Sequence, residues 1–539
     1  MTRTVPSLVV AALVALLAGT ARADDPPPSS QPPSPQPTPR DLVAKLLAAT
    51  KPEERRALVD EIVASKADVE SVAAALTAGR SYAADAPTGW LDRTIVAPDG
   101  VERPYVLYVP PKYDPTRRYR MVVDMHGGVS RPEHLTHAEL AEMKELWGEQ
   151  AEKDGWILAF PAGQTGAVWW DPVGSGMVLG ILRETKRTYD VDEDQVFATG
   201  FSDGGSGSWF LAAAHPTPFA GFIPLNGHPG VAGMGGVPIY ARNFLNKPIY
   251  AVNTDLDSLY PSAALKPTFD AIRALGAPLV WREITGFRHE PGYLPAERPA
   301  ILKWMDGARR VADPKVVTWE GIDGAPSRVH WLRVTKVTGG SGVEPFADVN
   351  PKLTESRVRI GVMIDQAFAG PGARITGVSD GSIAQTMDLR AGDVIVGIDG
   401  ADVANFAGLR GLLGKKTFGQ DLAVRVLRGA ETVEKTSKIP DAKSEPSFDR
   451  PKPHGSIRAA VNGNRIDVTS LGVGAFDIHL SPRLVDLAKP VEVVVTGAAV
   501  FTGVVATDLR FMLEQALADE DRSLVYRARI SVSVPAPPK

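Results

Sequence analysis

Between residues 84 and 312 the chain alternates short apolar runs with amphipathic stretches. Tyr105–Val109, Arg120–Met125, Trp156–Phe160, Gln195–Thr199, Gly221–Leu225, Ile249–Asn253 and Pro278–Ile284 have the length and composition of buried strands. Between them, Ala138–Lys153, Met177–Arg187, Gly207–Ala214, Ala263–Leu275 and Pro299–Arg309 place apolar residues at helical spacing. This alternation predicts an α/β domain with a mostly parallel sheet and helices on both faces. After Pro314 the period changes. Lys315–Lys336, Ser456–Leu480 and Val491–Val505 are rich in Val, Thr and Ile that alternate with polar residues, and Asn462-Gly463 between two such runs is a hairpin signal. Residues 313–355 and 441–535 are therefore expected to form one β-sandwich-like domain, split by a compact unit over 356–440. Upstream, Leu, Ala and Val at helical spacing between Asp41 and Arg80, broken at Lys51-Pro52, predict two or three short helices within 40–83.

The first residues read differently. Met1-Thr2-Arg3, an apolar Ser7–Thr20 and the small-residue site Ala21-Arg22-Ala23 form a secretory leader over 1–23, so the chain is expected to be exported, periplasmic or extracellular. The apolar run is short for a membrane span, and no second stretch is long enough for one. Residues 24–39 are Pro-rich and predict an extended linker. At 539 residues the chain exceeds one core. Its formal charge of −4 has no basic block behind it, which argues against nucleic acid as a partner. The absence of cysteine removes disulfides, a thiol nucleophile and a Cys-based zinc site. No pattern asks for a metal or a cofactor.

Gly200-Phe201-Ser202-Asp203-Gly204 stands between a predicted strand and a predicted helix. A serine on such a sharp turn projects its hydroxyl above the sheet, small neighbours relieve the crowding, and the Asp203 amide would face a forming oxyanion. With 51 glycines in the chain, the pattern needs its setting to mean anything. Gly377-Val378-Ser379-Asp380-Gly381 repeats it outside the alternating region, with no acid and histidine in order behind it. Ser202 is thus the candidate nucleophile. A hydroxyl needs a base to take its proton and a carboxylate to hold that base. Of His215, His228 and His289, which follow Ser202 in this region, His289 comes directly after the last predicted strand, where a base would overhang the serine. The acid is expected after Ile249–Asn253, where Asp255 and Asp257 compete. Asp124-Met125-His126-Gly127-Gly128, also at a strand end, supplies a second oxyanion amide from Gly127 or Gly128, with His126 ordering the loop.

Together with Gly155–Pro161, Trp169-Trp170 and Val191–Val196, these residues resemble the feruloyl-esterase and polyhydroxybutyrate-depolymerase branch of the α/β-hydrolases from about Pro87 to Arg310. The resemblance implies a serine carboxylic ester hydrolase acting on a small or polymeric ester. It selects Asp257, whose spacing to Pro261 matches an Asp-x-x-x-Pro loop common in such hydrolases, and it puts Trp169 and Trp170 near the substrate, core packing being the alternative. Related exported esterases often carry cysteine pairs, which this chain lacks. Leu389–Gly400, preceded by Gly377–Ala384, resembles a bacterial PDZ domain. That likeness implies a peptide or C-terminal tail held at Arg359, Ile360, Gly361 and Val362, with the helix Asn405–Lys415 as the other wall; an internal spacer is the alternative. A prolyl-oligopeptidase-like peptidase and a non-catalytic peptide- or surface-binding protein remain the competing functions.

Overall fold

A computed structural model describes residues 37–231, 236–340, 345–354, 358–365, 368–450 and 453–534. The expected leader and most of the Pro-rich linker lie outside the described residues. Eight strands, β1 (Gly89–Val96), β2 (Glu102–Val109), β3 (Tyr119–Met125), β4 (Ile157–Pro161), β5 (Val191–Phe201), β6 (Gly221–Leu225), β7 (Ile249–Thr254) and β8 (Leu279–Ile284), form one sheet in the order β1-β2-β4-β3-β5-β6-β7-β8. From β4 to β8 all neighbours are parallel, while β2 runs antiparallel to both β1 and β4. Strands β3, β4, β6 and β7 are nearly continuous apolar runs because both faces are covered. The edge strand β1, partly exposed and with Asp92, Arg93 and Thr94 polar in succession, carries no such run, and the apolar pattern does not reveal it.

Three short helices, α1 (Pro39–Ala48), α2 (Pro52–Ala64) and α3 (Val69–Ala78), precede the sheet. Within it run α4 (His137–Glu142), α5 (Gly148–Asp154), α6 (Pro172–Thr188), α7 (Asp203–Ala214), α8 (Ser262–Ala274) and α9 (Leu294–Gly307). Two cores result, one per face. Met177, Val178, Trp209, Leu265 and Phe269 pack on one side, and Leu140, Trp147, Ala151, Ile301 and Met305 on the other. The single helix expected over Ala138–Lys153 is two pieces. Trp147 leaves the helical path (φ −132°, ψ −8°) and buries its indole, and Gly148 then restarts the helix so close to Trp90 that a Cβ would lie 3.2 Å from the ring.

Beyond β8 come β9 (Val316–Gly321), β10 (Arg328–Val329), β11 (Leu332–Val337) and, after the inserted unit, β20 (Gly455–Asn462), β21 (Arg465–Leu471), β22 (Val473–Leu480), β23 (Val491–Val495), β24 (Ala498–Gly503) and β25 (Ala528–Ser533). They pair across the insertion as two sheets, β24-β23-β21-β20-β9 and β10-β11-β22-β25. Trp319, Val334, Ile457 and Phe476 fill the core between the sheets. The Asn462-Gly463 turn joins β20 to β21 with Gly463 at φ +58°. The insertion starts at β12 (Lys352–Thr354) and ends at β19 (Ser444–Pro446), which pair antiparallel, Thr354 opposite Ser444. Between them β13 (Val362–Ile364), β14 (Ala373–Val378), β15 (Val394–Ile398), β16 (Ala401–Asp402), β17 (Asp421–Arg428) and β18 (Glu431–Lys438) make a small sheet with α10 (Ile383–Thr386) and α11 (Phe406–Leu413). No described helix is long and apolar enough to cross a membrane.

The last helix, α12 (Leu509–Asp519), packs Met512 and Leu513 against Leu46, Ile62 and Val72 of α1–α3, which gives that N-terminal segment its place. Just after it, consecutive charged residues reach in different directions. Glu520 pairs with Arg55 (3.1 Å), Arg80 (2.5 Å) and Arg187 (2.8 Å). Asp521 pairs with Lys186 (2.8 Å) and, through both oxygens, with Arg310 (2.7 and 2.9 Å), and Arg522 reaches Asp190 and Glu193. Burial alone would raise the Asp521 carboxyl, but Arg310 and Lys186 hold it well below the usual carboxylate range.

Candidate active site

β5 ends on Ser202, whose backbone turns to φ +60°, ψ −117° before α7 begins. A non-glycine residue there stores about 1–3 kcal/mol of strain. The flanks explain themselves sterically: a Cβ at Gly204 would lie 1.7 Å from the Met125 carbonyl oxygen, and one at Gly200 2.3 Å from the same atom. The elbow is pinned by the Ser202 amide donating to Leu225 O at 3.0 Å.

Ser202 Oγ lies 2.8 Å from His289 Nε2, and His289 Nδ1 lies 2.8 Å from Asp257 Oδ2. Asp257 is sealed, while His289 keeps about a fifth of its side chain exposed. The other Asp257 oxygen accepts the amides of Leu259 (2.7 Å) and Tyr260 (2.9 Å), and Asn226 Nδ2 donates to Oδ2 at 2.9 Å. Burial would raise the Asp257 pKa, but hydrogen bonds from His289, Asn226 and the Tyr260 amide outweigh it and leave the carboxyl below its ordinary value. Asn226 is itself fixed by Tyr293, whose hydroxyl donates to Oδ1 at 2.8 Å, and Thr254 ties the acid loop to Arg288 O at 2.7 Å. Rings of Phe201 and Tyr260 flank the imidazole at 4.9 and 5.6 Å. Nothing here is metal-like: among the described residues no group of three His, Asp or Glu could hold an ion.

Gly127 approaches so closely that a Cβ would lie 3.0 Å from Ser202 Cβ, and Gly128 adopts φ +65°. Neither amide has an acceptor among the described residues. The Asp203 amide heads α7 on the other side, and its carboxylate accepts Val129 N at 2.9 Å, closing the Gly-rich loop over the elbow. His126 lies under that loop. It accepts Gly163 N on Nε2 at 2.9 Å, so Nδ1 carries the proton and donates to Gly127 O at 2.7 Å. Burial lowers its pKa to about 4, which keeps the ring neutral.

The structure thus brings Ser202, His289, Asp257, Asp203, Gly127 and Gly128 together. Asp255 is exposed, and its carboxylate caps the turn at Gly286 N (2.8 Å) instead of meeting the imidazole. The tryptophan expectation needs correcting. Trp169 is fully buried, its indole donating to His126 O at 2.8 Å with its ring against Gly163 and Gly207, and Trp170 is buried in the same core. Both pack the scaffold beneath the loop. Ser379 lies exposed at the end of β14 with no histidine bonded to it. Arg359, Ile360, Gly361 and Val362 lead into β13. Gly361 (φ +80°) bonds through its carbonyl to Ser379 N, and the amides of Ile360 and Gly361 have no acceptor among the described residues. A cavity of about 420 Å3 lined by Ile364, Phe406 and Ala407 lies between β13 and α11. Asn226, Tyr260 and Tyr293 went unnoticed in the sequence; only the Asn226-Gly227 pair after the Gly221–Leu225 run could have drawn attention to a loop there.

Residues 349–439 match the PDZ domain family. The chain is 26% identical over 137 residues to a bifunctional acetylxylan esterase/xylanase of Neocallimastix patriciarum, a match covering 25% of this chain and 19% of that protein. It is 26% identical over 127 residues to feruloyl esterase C of Emericella nidulans, covering 23% and 46% respectively. The chain thus spans less than half the length of these curated relatives. Among solved structures, a thermostable esterase superposes with a TM-score of 0.35 at 21% identity, over 41% of this chain and 63% of that one.

Proposed function

We propose that this α/β-hydrolase, with a PDZ domain inserted in its C-terminal β domain, is an exported serine hydrolase of carboxylic esters. The observation that carries the reading is the unbroken hydrogen-bonded line Ser202 Oγ–His289–Asp257 beside amides that meet no acceptor among the described residues. Ser202 attacks the ester carbonyl while His289 Nε2 takes its proton. Asp257 holds the imidazole through Nδ1 and favours its cationic form. The amides of Asp203 and of Gly127 or Gly128 receive the oxyanion. The intermediate collapses as His289 returns the proton to the leaving alcohol, and a water activated by the same imidazole then clears the acyl-enzyme. Tight packing of the Gly-rich loop on the elbow supports this, because a preorganised hole needs no rearrangement when charge develops. Relatives named for feruloyl and acetylxylan ester cleavage support such esters as the first to screen. The PDZ loop Arg359–Val362 would take a peptide or C-terminal tail by strand addition.

The test is a fluorophosphonate probe together with a panel of short-chain aryl esters, hydroxycinnamoyl esters and dipeptidyl anilides. Labelling at Ser202 with ester turnover is expected. Labelling with anilide cleavage alone would make the protein a peptidase, and no labelling would make it a binding protein.

A further inference from the structure

Beside the triad lies a cavity of about 460 Å3 where the catalytic domain meets the insertion. His228, Leu259 and Tyr260 line one side, and Leu353, Arg359 and Glu445 the other. The near wall is the acid loop itself. Tyr260 gives its amide to Asp257 Oδ1 at 2.9 Å and sets its ring 5.6 Å from the imidazole, so whatever fills the cavity lies one ring away from the reacting atoms.

The two walls are fastened. Arg410 of α11 donates to Ser258 Oγ at 2.6 Å, in the residue next to the catalytic acid. Thr268 of α8 meets Ser447 Oγ at 2.6 Å, and that hydroxyl also bonds Pro351 O at 2.8 Å beside β12. These bonds tie the insertion to the acid loop and the segment beside β12 and β19 to α8.

Its chemistry is lopsided. Leu259, Leu353 and Tyr260 are apolar in body, and burial lowers His228 to about 4, so that ring is uncharged at neutral pH, with Nδ1 already accepting Gly230 N at 2.8 Å. Two charges remain. Glu445 lies on β19, paired in register with Leu353. Arg359 is a permanent cation that has no carboxylate within ion-pairing distance among the described residues. A guanidinium fork with no carboxylate within ion-pairing distance among the described residues, on the wall of a mostly apolar cleft that shares Tyr260 with the surroundings of the imidazole, fits a planar carboxylate carried on a small apolar body.

We propose that this cavity is a substrate subsite and that Arg359 is its specificity-determining cation, so that the preferred ester bears a carboxylate on its acyl or alcohol part. The inference rests on the ester-hydrolase reading and gives the inserted domain a share in substrate choice.

The experiment compares matched esters on the full chain. The acyl pair is 4-nitrophenyl valerate and mono-4-nitrophenyl glutarate; the alcohol pair is phenyl acetate and 4-acetoxybenzoate. In at least one pair, Arg359→Gln is expected to lower the charged-to-neutral ratio of kcat/KM at least tenfold, through KM. Arg359→Lys should restore most of the ratio, and Glu445→Gln should raise it about two- to threefold. Salt should shrink the wild-type preference, since Arg359 is exposed. A ratio unmoved by Arg359→Gln in both pairs overturns the subsite. Failure of the wild type to turn over any ester, neutral or charged, overturns the ester-hydrolase reading, and this inference falls with it.

Discussion

The triad and the ion cluster behind α12 draw on the same residue chemistry, acids set against bases from distant parts of the chain, and put it to opposite ends. In the cluster Arg310 and Asp521 are at most 1% exposed, Glu520 meets three cations and Asp521 two. Every charge is fixed. In the triad only Asp257 is sealed, and its partner is an imidazole that reaches solvent. A fully enclosed ion pair can hold domains in register but cannot exchange protons; a base open on one side can do so while its carboxylate keeps it aligned. Burial of the partner, more than residue type, separates the two settings.

That contrast can be broken in order of expected effect. Ser202→Ala should reduce ester turnover roughly 10³-fold or more while leaving the melting temperature nearly unchanged, measured by steady-state kinetics and calorimetry on the same sample. Asp521→Ala should do the reverse. It leaves Lys186 without its carboxylate and Arg310 with Asp194 alone (3.1 Å), costing about 3–5 kcal/mol in denaturant unfolding, while turnover per folded molecule persists. Asp124, at the end of β3, sharpens the comparison as a buried carboxyl whose two oxygens have no hydrogen-bond partner among the described residues. Burial raises its pKa to about 8. The folded chain therefore keeps this proton up to about pH 8, whereas the unfolded chain releases it near the model value of 3.8. The unfolded state binds fewer protons in that window, so this group's contribution is greatest below the unfolded value, falls as pH rises and levels off above about 8. Asp124→Asn should remove from the stability profile a slope of up to about 1.4 kcal/mol per pH unit, read as melting temperature against pH. Asn226→Ala takes one donor from Asp257 and should lower kcat about tenfold, on the order of 1.4 kcal/mol, with little change in KM.

What the sequence made legible follows the same divide. The elbow and the Gly-rich loop are written in consecutive residues, because steric crowding at Met125 O demands glycine at Gly200 and Gly204. The inserted domain was readable for a like reason, in the stretch Leu389–Gly400. Asp257 could not be separated from Asp255 by the residues alone, since both are acids in one loop and only the fold turns one toward His289. Asn226 and Tyr293 carry no motif; their role is to support an acid 31 residues beyond Asn226. The ion cluster is wholly illegible, because Arg55, Arg80, Arg187 and Arg310 have no periodic relation to residues 520–522. Trp169 and Trp170 misled because large aromatics serve cores and ligand pockets equally well.

The ladder of β12 and β19 has a consequence for how such a chain changes over evolutionary time. Thr354 and Ser444 face each other, so the chain leaves for the insertion and returns at neighbouring points, and the sandwich strands on either side pair without regard to what lies between. Loss or exchange of the whole segment would need only a short turn between these two positions. The insertion point is thus a place where one domain can be exchanged for another without breaking a sandwich strand, at the cost of the Arg410 bond to Ser258 in the acid loop.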